Sequence, residues 1–153
     1  MDRVNIMTVT TCKGPARQSA TGMWMIEHIH DGIPNTKHGF LKREKITSKE
    51  LSLQLLTNAM YTVKAAKADF DSIEIYSDEP YVVAAFENKW VEKWDKNNWM
   101  ASRGNEVAFV DTWKMILKLM NESGKRFIFS TAQSSYENWM RLQIDLEGKK
   151  KND

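Results

Sequence analysis

A chain of 153 residues with 42% apolar and 27% charged side chains is long enough for one hydrophobic core, and its composition excludes a disordered polymer. Twenty-two basic residues against 20 acidic ones leave a net charge of only +2, so any attraction for a polyanion has to be local. One cysteine, Cys12, permits no internal disulfide, and no apolar run is long enough for a signal peptide or membrane span; both features lead to the expectation of a cytoplasmic protein.

Val4 to Thr11, rich in Val, Thr, Ile and Met, reads as a strand. After a polar loop with Gly14 and Pro15, Gly22 to His30 is a second strand. Asp31-Gly32-Ile33-Pro34-Asn35 signals a turn, and Lys37 to Ile46 returns as a third strand in an antiparallel meander. Leu51, Leu55, Leu56, Ala59, Met60 and Val63 then share one face at helical spacing, which predicts a helix from Ser48 to about Lys67. Ser72 to Tyr76 is a short strand. Pro80 opens a short helix through Phe86, and Trp90 and Trp94 sit four apart on another. Val110, Trp113, Leu117 and Met120 mark a further helix ending near Gly124. Arg126 to Phe129 is a last strand, and Ser135 to about Leu146 a last helix.

Strand-helix-strand steps after the meander favour right-handed parallel crossovers. The expected fold is therefore α/β: a mixed five-stranded sheet, three strands as an antiparallel meander plus two parallel strands, with helices on both faces. One domain over residues 1–147 and a basic flexible tail over 148–153 complete the expected organisation.

Glu50, Asp78 and Glu137 each lie where a predicted helix follows a predicted strand. Carboxylates gathered at one sheet edge can hold a divalent metal beside a phosphate. Each also has a purely structural reading. Thr47-x-x-Glu50 and Ser134-x-x-Glu137 fit capping boxes, and Asp78 before Glu79-Pro80 fits a helix N-cap.

The order of elements, with these residues at these points, resembles the ribonuclease H family from about Val4 to Leu146. Ile75-Tyr76-Ser77-Asp78-Glu79-Pro80-Tyr81-Val82 is similar to the family's fourth strand, its catalytic Asp and the helix start that follows. Trp90, Trp94, Trp99, Arg103-Gly104-Asn105-Glu106-Val107 and Val110-Asp111-Thr112-Trp113 resemble the family's tryptophan-rich region, its loop and its Asp-x-Trp helix. Ile46-Thr47-Ser48-Lys49-Glu50-Leu51 resembles the lead-in to the first helix. The resemblance implies an RNase H-like fold and an endoribonuclease that cuts the RNA strand of an RNA/DNA hybrid with two Mg²⁺ ions. It assigns Glu50, Asp78 and Glu137 as catalytic and metal-binding acids. It also implies a basic handle on nucleic acid built from Lys89, Lys93, Lys96, Trp99 and Arg103, diluted here by Glu87, Glu92 and Asp95.

The departures decide the expected function. The family's first strand ends in Asp-Gly-Ser, whose Asp contacts both metals, where this chain reads Val9-Thr10-Thr11-Cys12; Thr10 or Thr11 is expected at the missing Asp. The flexible-loop His is absent from Ser130-Thr131-Ala132-Gln133-Ser134, and Phe109 or Val110 replaces the Asn that opens the Asp-x-Trp helix. A neutral hydroxyl is a poor Mg²⁺ ligand, so Mg²⁺ or Mn²⁺ is expected weakly or at a single site.

The resulting expectation is a nucleic-acid-binding relative of ribonuclease H, taking hybrid or duplex RNA, with hydrolysis weakened or lost. An active divergent enzyme repaired by Asp2, Glu74 or a Thr hydroxyl is the alternative, and a protein-interaction scaffold the second. The three histidines, His28, His30 and His38, are expected on an exposed polar face rather than at zinc, since no cysteine or carboxylate spacing completes a site. Cys12 is expected as a small buried hydrophobe, without a His or Asp placed to activate it.

Overall fold

In the computed structural model, which describes residues 2–101 and 104–150, the elements follow the expected order. They are β1 (Arg3–Thr10), β2 (Gln18–His30), β3 (Ile33–Ile46), α1 (Ser48–Ala66), β4 (Ser72–Ser77), α2 (Pro80–Glu87), α3 (Trp90–Lys96), α4 (Val110–Ser123), β5 (Arg126–Ser130) and α5 (Glu137–Gly148). The strands form one sheet in the order β3-β2-β1-β4-β5. β1, β2 and β3 pair antiparallel, while β4 joins β1 and β5 joins β4 in parallel. The mixed five-stranded α/β sheet is thus as expected. The hairpin is longer than the turn signal implied: only Asp31 and Gly32 lie between β2 and β3, both at positive φ, so Ile33 to Thr36 extend the strand.

Side chains alternate along β1 between two cores. Val4 and Ile6 pack with Leu53, Leu56, Val82, Val83, Trp113 and Ile116, on the face covered by α1, α2 and α4. Met7 and Val9 pack on the other face with Met23, Met25, Met140 and Ile144, beneath α5, which among the described residues is the one helix in that cluster. Helices therefore cover both faces, unequally. Gly39 lies under the Trp24 indole, where a Cβ would come within 2.6 Å of the ring, so glycine is required for the ring to lie flat on β3.

α1 opens with Thr47 as N-cap, its hydroxyl accepting from the Glu50 amide at 3.2 Å. α4 starts less comfortably. Phe109, its N-cap and one of the two residues expected to replace the Asn, sits in the left-handed region with φ 61° and makes no side-chain cap. A bulky residue there stores about 1–3 kcal/mol of strain.

Candidate functional site

Parallel pairing places the C-terminal ends of β1, β4 and β5 at one edge of the sheet, and β3, two antiparallel steps from β1, ends there too. Glu50 follows β3 in the first turn of α1, Asp78 follows β4, and Glu137 opens α5 after β5. The topology thus delivers all three acids to one edge.

Two of the structural readings of these acids are corrected at this point. Glu79, not Asp78, caps α2, its carboxylate accepting from the Tyr81 amide at 3.1 Å. Asp78 is left free to face the sheet edge. Glu137 is the first residue of α5 and its amide bonds the Ser134 carbonyl at 3.2 Å, so the Ser134 side chain forms no capping box with it. The Thr47 half of the other box is present.

Asp78 is held by three groups. Its Oδ2 accepts the Thr10 amide at 2.9 Å and faces the Arg141 guanidinium at 3.4 Å. Its own amide continues the ladder to the Thr8 carbonyl at 3.4 Å. The side chain is only 15% exposed, and its Oδ1 is buried without a hydrogen-bond partner. Burial raises the Asp78 carboxyl above its ordinary value; the Thr10 amide and Arg141 oppose that rise without cancelling it. A carboxyl raised on folding favours the fold below its unfolded pKa, and this contribution is lost as pH rises through the folded value. At neutral pH the Asp78 charge therefore costs stability. Asp78→Asn is expected to raise the melting midpoint at pH 7, with the gain shrinking at acid pH; an unchanged or lower midpoint at pH 7 would count against the cost assigned to this charge.

The residue at the missing acid is also corrected. β1 and β4 pair Met7 with Tyr76 and Thr8 with Ser77, so the side chain standing beside Asp78 on the same face is Val9. Val9 is 2% exposed and packs into the α5 core. Thr10 and Thr11 serve the loop instead: the Thr10 hydroxyl accepts the Cys12 amide and the Thr11 hydroxyl the Thr21 amide. Neither takes the Asp position.

The other acids are met by arginines. Arg141 Nη2 lies 3.7 Å from Glu137 Oε1 and Arg141 Nη1 donates to the Thr10 carbonyl at 3.3 Å, while Arg17 Nη1 lies 3.9 Å from Glu50 Oε2. Among the described residues, Glu50, Asp78 and Glu137 do not all three bring ligand atoms within 4.8 Å of one another; Asp2, His30 and Asp31 do, at the opposite end of β1. A two-metal centre does not fit this donor set. An isopropyl group faces Asp78 where a bridging carboxylate is needed, and a guanidinium lies against two of the three acids. Asp2 cannot repair the gap, because eight strand residues set it about 26 Å from Thr10. Glu74 shares the Asp78 face but lies four residues back, about 13 Å along β4.

Lys89, Lys93 and Lys96 are exposed on and beside α3, at spacings of four and three that place them on one side of the helix. Trp99 does not join them. It is 5% exposed, its ring 6.4 Å from that of Trp94, and it belongs to the main core, which corrects its expected contact with nucleic acid. Trp90 and Trp94 pack on that core too. Arg103 lies outside the described residues, as do Lys151 to Asp153 of the expected tail. Of the histidines, His30 and His38 are exposed and His28 is partly so. Cys12 is half-buried against Ala20, Ile46, Leu51 and Leu55.

Arg141 is the residue at this edge that sequence reasoning passed over. Its i,i+4 relation to Glu137 was visible, but its contact with Thr10 crosses 131 positions.

The RNase H family model matches residues 2–140. The ribonuclease H of Acetivibrio thermocellus is 30% identical over 137 residues, which cover 90% of this chain and 87% of that protein. The ribonuclease H of Caldanaerobacter subterraneus subsp. tengcongensis is 34% identical over 116 residues, covering 76% and 70%. Among solved structures, LC9-RNase H1, a type 1 RNase H with the type 2 active-site motif, superposes with a TM-score of 0.71 at 15% identity, covering 97% of this chain and 74% of that one. LC11-RNase H1, solved in complex with an RNA/DNA hybrid, gives 0.62 at 10%, covering 95% and 99%. Sheet order, element order and the family match agree, and the chain belongs to the ribonuclease H family.

Proposed function

We propose that this protein binds nucleic acid, as an RNA/DNA hybrid or duplex RNA, and that its metal-dependent hydrolysis is weakened or lost. The observation that carries the second half is the apolar Val9 beside Asp78, where a two-metal reaction needs a carboxylate. The first half is supported by family membership, by a structural neighbour that holds a hybrid, and by Lys89, Lys93 and Lys96 on one exposed side of α3. Three lysines at that spacing meet successive backbone phosphates as point charges and read no bases. Glu92 and Asp95 are exposed on the same short helix, so the affinity is modest and falls steeply with salt.

Fluorescence anisotropy of a labelled hybrid tests this directly. Binding should be similar in EDTA and in Mg²⁺. Changing Lys89, Lys93 and Lys96 together to Ala should reduce the slope of log affinity against log salt by about two to three. Absence of salt-sensitive binding to both hybrid and duplex RNA would remove the proposal.

A scaffold role is the second reading, favoured by one feature. Trp139, Leu142 and Leu146 stand 42%, 55% and 50% exposed along α5, an apolar stripe of the kind that docks against protein. Among the described residues no helix is long and apolar enough to cross a membrane.

A further inference from the structure

We infer that the guanidinium of Arg141 is the resident cation of the acid edge, taking the position of a divalent metal and keeping one out. The inference concerns the same acids as the proposed function but does not depend on nucleic-acid binding. Arg141 gathers oxygens from three separate parts of the fold, as a bound cation would: the Thr10 carbonyl at the end of β1, Asp78 Oδ2 after β4, and Glu137 Oε1 on its own helix. A single nitrogen, Nη2, faces both carboxylates.

Local structure explains how it arrives there. Glu137 opens α5, and one helical turn later Arg141 projects from the same side. The next turn's Ile144, with Met140, is locked into the core beneath Val9, which fixes the rotation of the helix about its axis. The orientation of Arg141 is thus set by packing on one flank and ion pairing on the other.

Charge and hydration then favour the guanidinium over a metal. It is charged at every accessible pH and weakly hydrated, whereas Mg²⁺ gives up its water reluctantly and prefers six oxygens. With Val9 beside Asp78 and Glu50 turned to Arg17, Asp78 and Glu137 are, among the described residues, the only carboxylates paired with Arg141. An entering ion would have to displace a tethered competitor and settle for fewer anionic ligands than the centre normally offers. Once Arg141 is gone, the balance reverses. Asp78 Oδ1, already buried without a partner, and the freed Oδ2 and Glu137 Oε1 then form an uncompensated oxygen cluster.

Mn²⁺ alone, titrated into ¹⁵N-labelled protein, reads this without any substrate. In the wild type the amide signals of Thr10, Asp78 and Glu137 should keep their intensity at millimolar Mn²⁺. In Arg141→Ala the same signals should broaden selectively, with Mn²⁺ bound about tenfold or more tightly than by the wild type. Arg141→Gln, which keeps much of the side-chain volume, serves if the alanine variant is unfolded. Wild-type broadening centred on Asp78 would overturn the inference. So would a folded Arg141 variant that binds Mn²⁺ no better than the wild type.

Discussion

An RNA/DNA hybrid incubated with this protein in Mg²⁺ is expected to be cut at least about a thousandfold more slowly than by its ribonuclease H relatives, a loss of roughly 4 kcal/mol of transition-state stabilisation. Two separate defects lead there. Val9 removes the ligand expected to bridge both ions, and Arg141 pairs with two of the remaining acids. Because they act at one point, repairing one is not enough. Val9→Asp alone should stay inactive, since its new carboxylate would be drawn into the Arg141 pair. It should also be destabilised by several kcal/mol, because it puts a charge among Met140 and Ile144. Only Val9→Asp combined with Arg141→Ala is expected to regain measurable cleavage. Gel assays of labelled hybrid decide the matter: wild-type cleavage at a relative's rate, abolished by Asp78→Asn, would show a working centre and sink this expectation.

The largest loss of stability is expected from Trp113→Ala. Trp113 is fully buried, and its ring meets Trp94 at 5.4 Å, Phe86 at 5.6 Å and Tyr81 at 6.3 Å between centroids. It is where α2, α3 and α4 meet, and truncation leaves a cavity that its three aromatic neighbours, two on α2 and one on α3, cannot jointly fill. The cost should be about 3–5 kcal/mol, lowering the melting midpoint by roughly 6–20 °C for a domain of this size. Trp113→Phe should lose much less. The buried indole Nε1 has no hydrogen-bond partner, so the native residue already carries an unsatisfied polar group that phenylalanine removes. Thermal melts of the two variants check both statements; an alanine variant within about 1 kcal/mol of wild type would refute the cavity argument.

Much of the fold was legible because its signals are local. The helical spacing of Leu51, Leu55, Leu56, Ala59 and Met60 located α1, and Pro80 and Gly124 marked where α2 opens and α4 closes. The acid edge was legible only in outline. Strand-helix boundaries placed Glu50, Asp78 and Glu137 at one edge, but a shift of one residue along β1 exchanges the faces on which Val9 and Thr10 stand. No local feature of Val9-Thr10-Thr11 decides that shift; the pairing of Met7 with Tyr76 does, across the sheet. Asp78 read as the cap of α2, but its carboxylate is taken by Thr10 and Arg141, which lie far away in sequence, and Glu79 caps the helix instead. The burial of Trp99 was hidden for a similar reason. Its φ of 61° turns it back onto Trp94, a conformation that an Asn-Asn-Trp sequence does not announce.

The two rims of the sheet are built very differently. β5 presents five residues, too few to template another strand, whereas β3 offers fourteen along an open border. That longer border is interrupted by Pro34, carries Lys37, Lys42, Arg43 and Lys45, and is kinked where Lys45 adopts a φ of 51°. Each of these discourages a second strand from adding to it. A protein whose hydrophobic core depends on a long hairpin thus gains that hairpin without becoming a seed for its own aggregation.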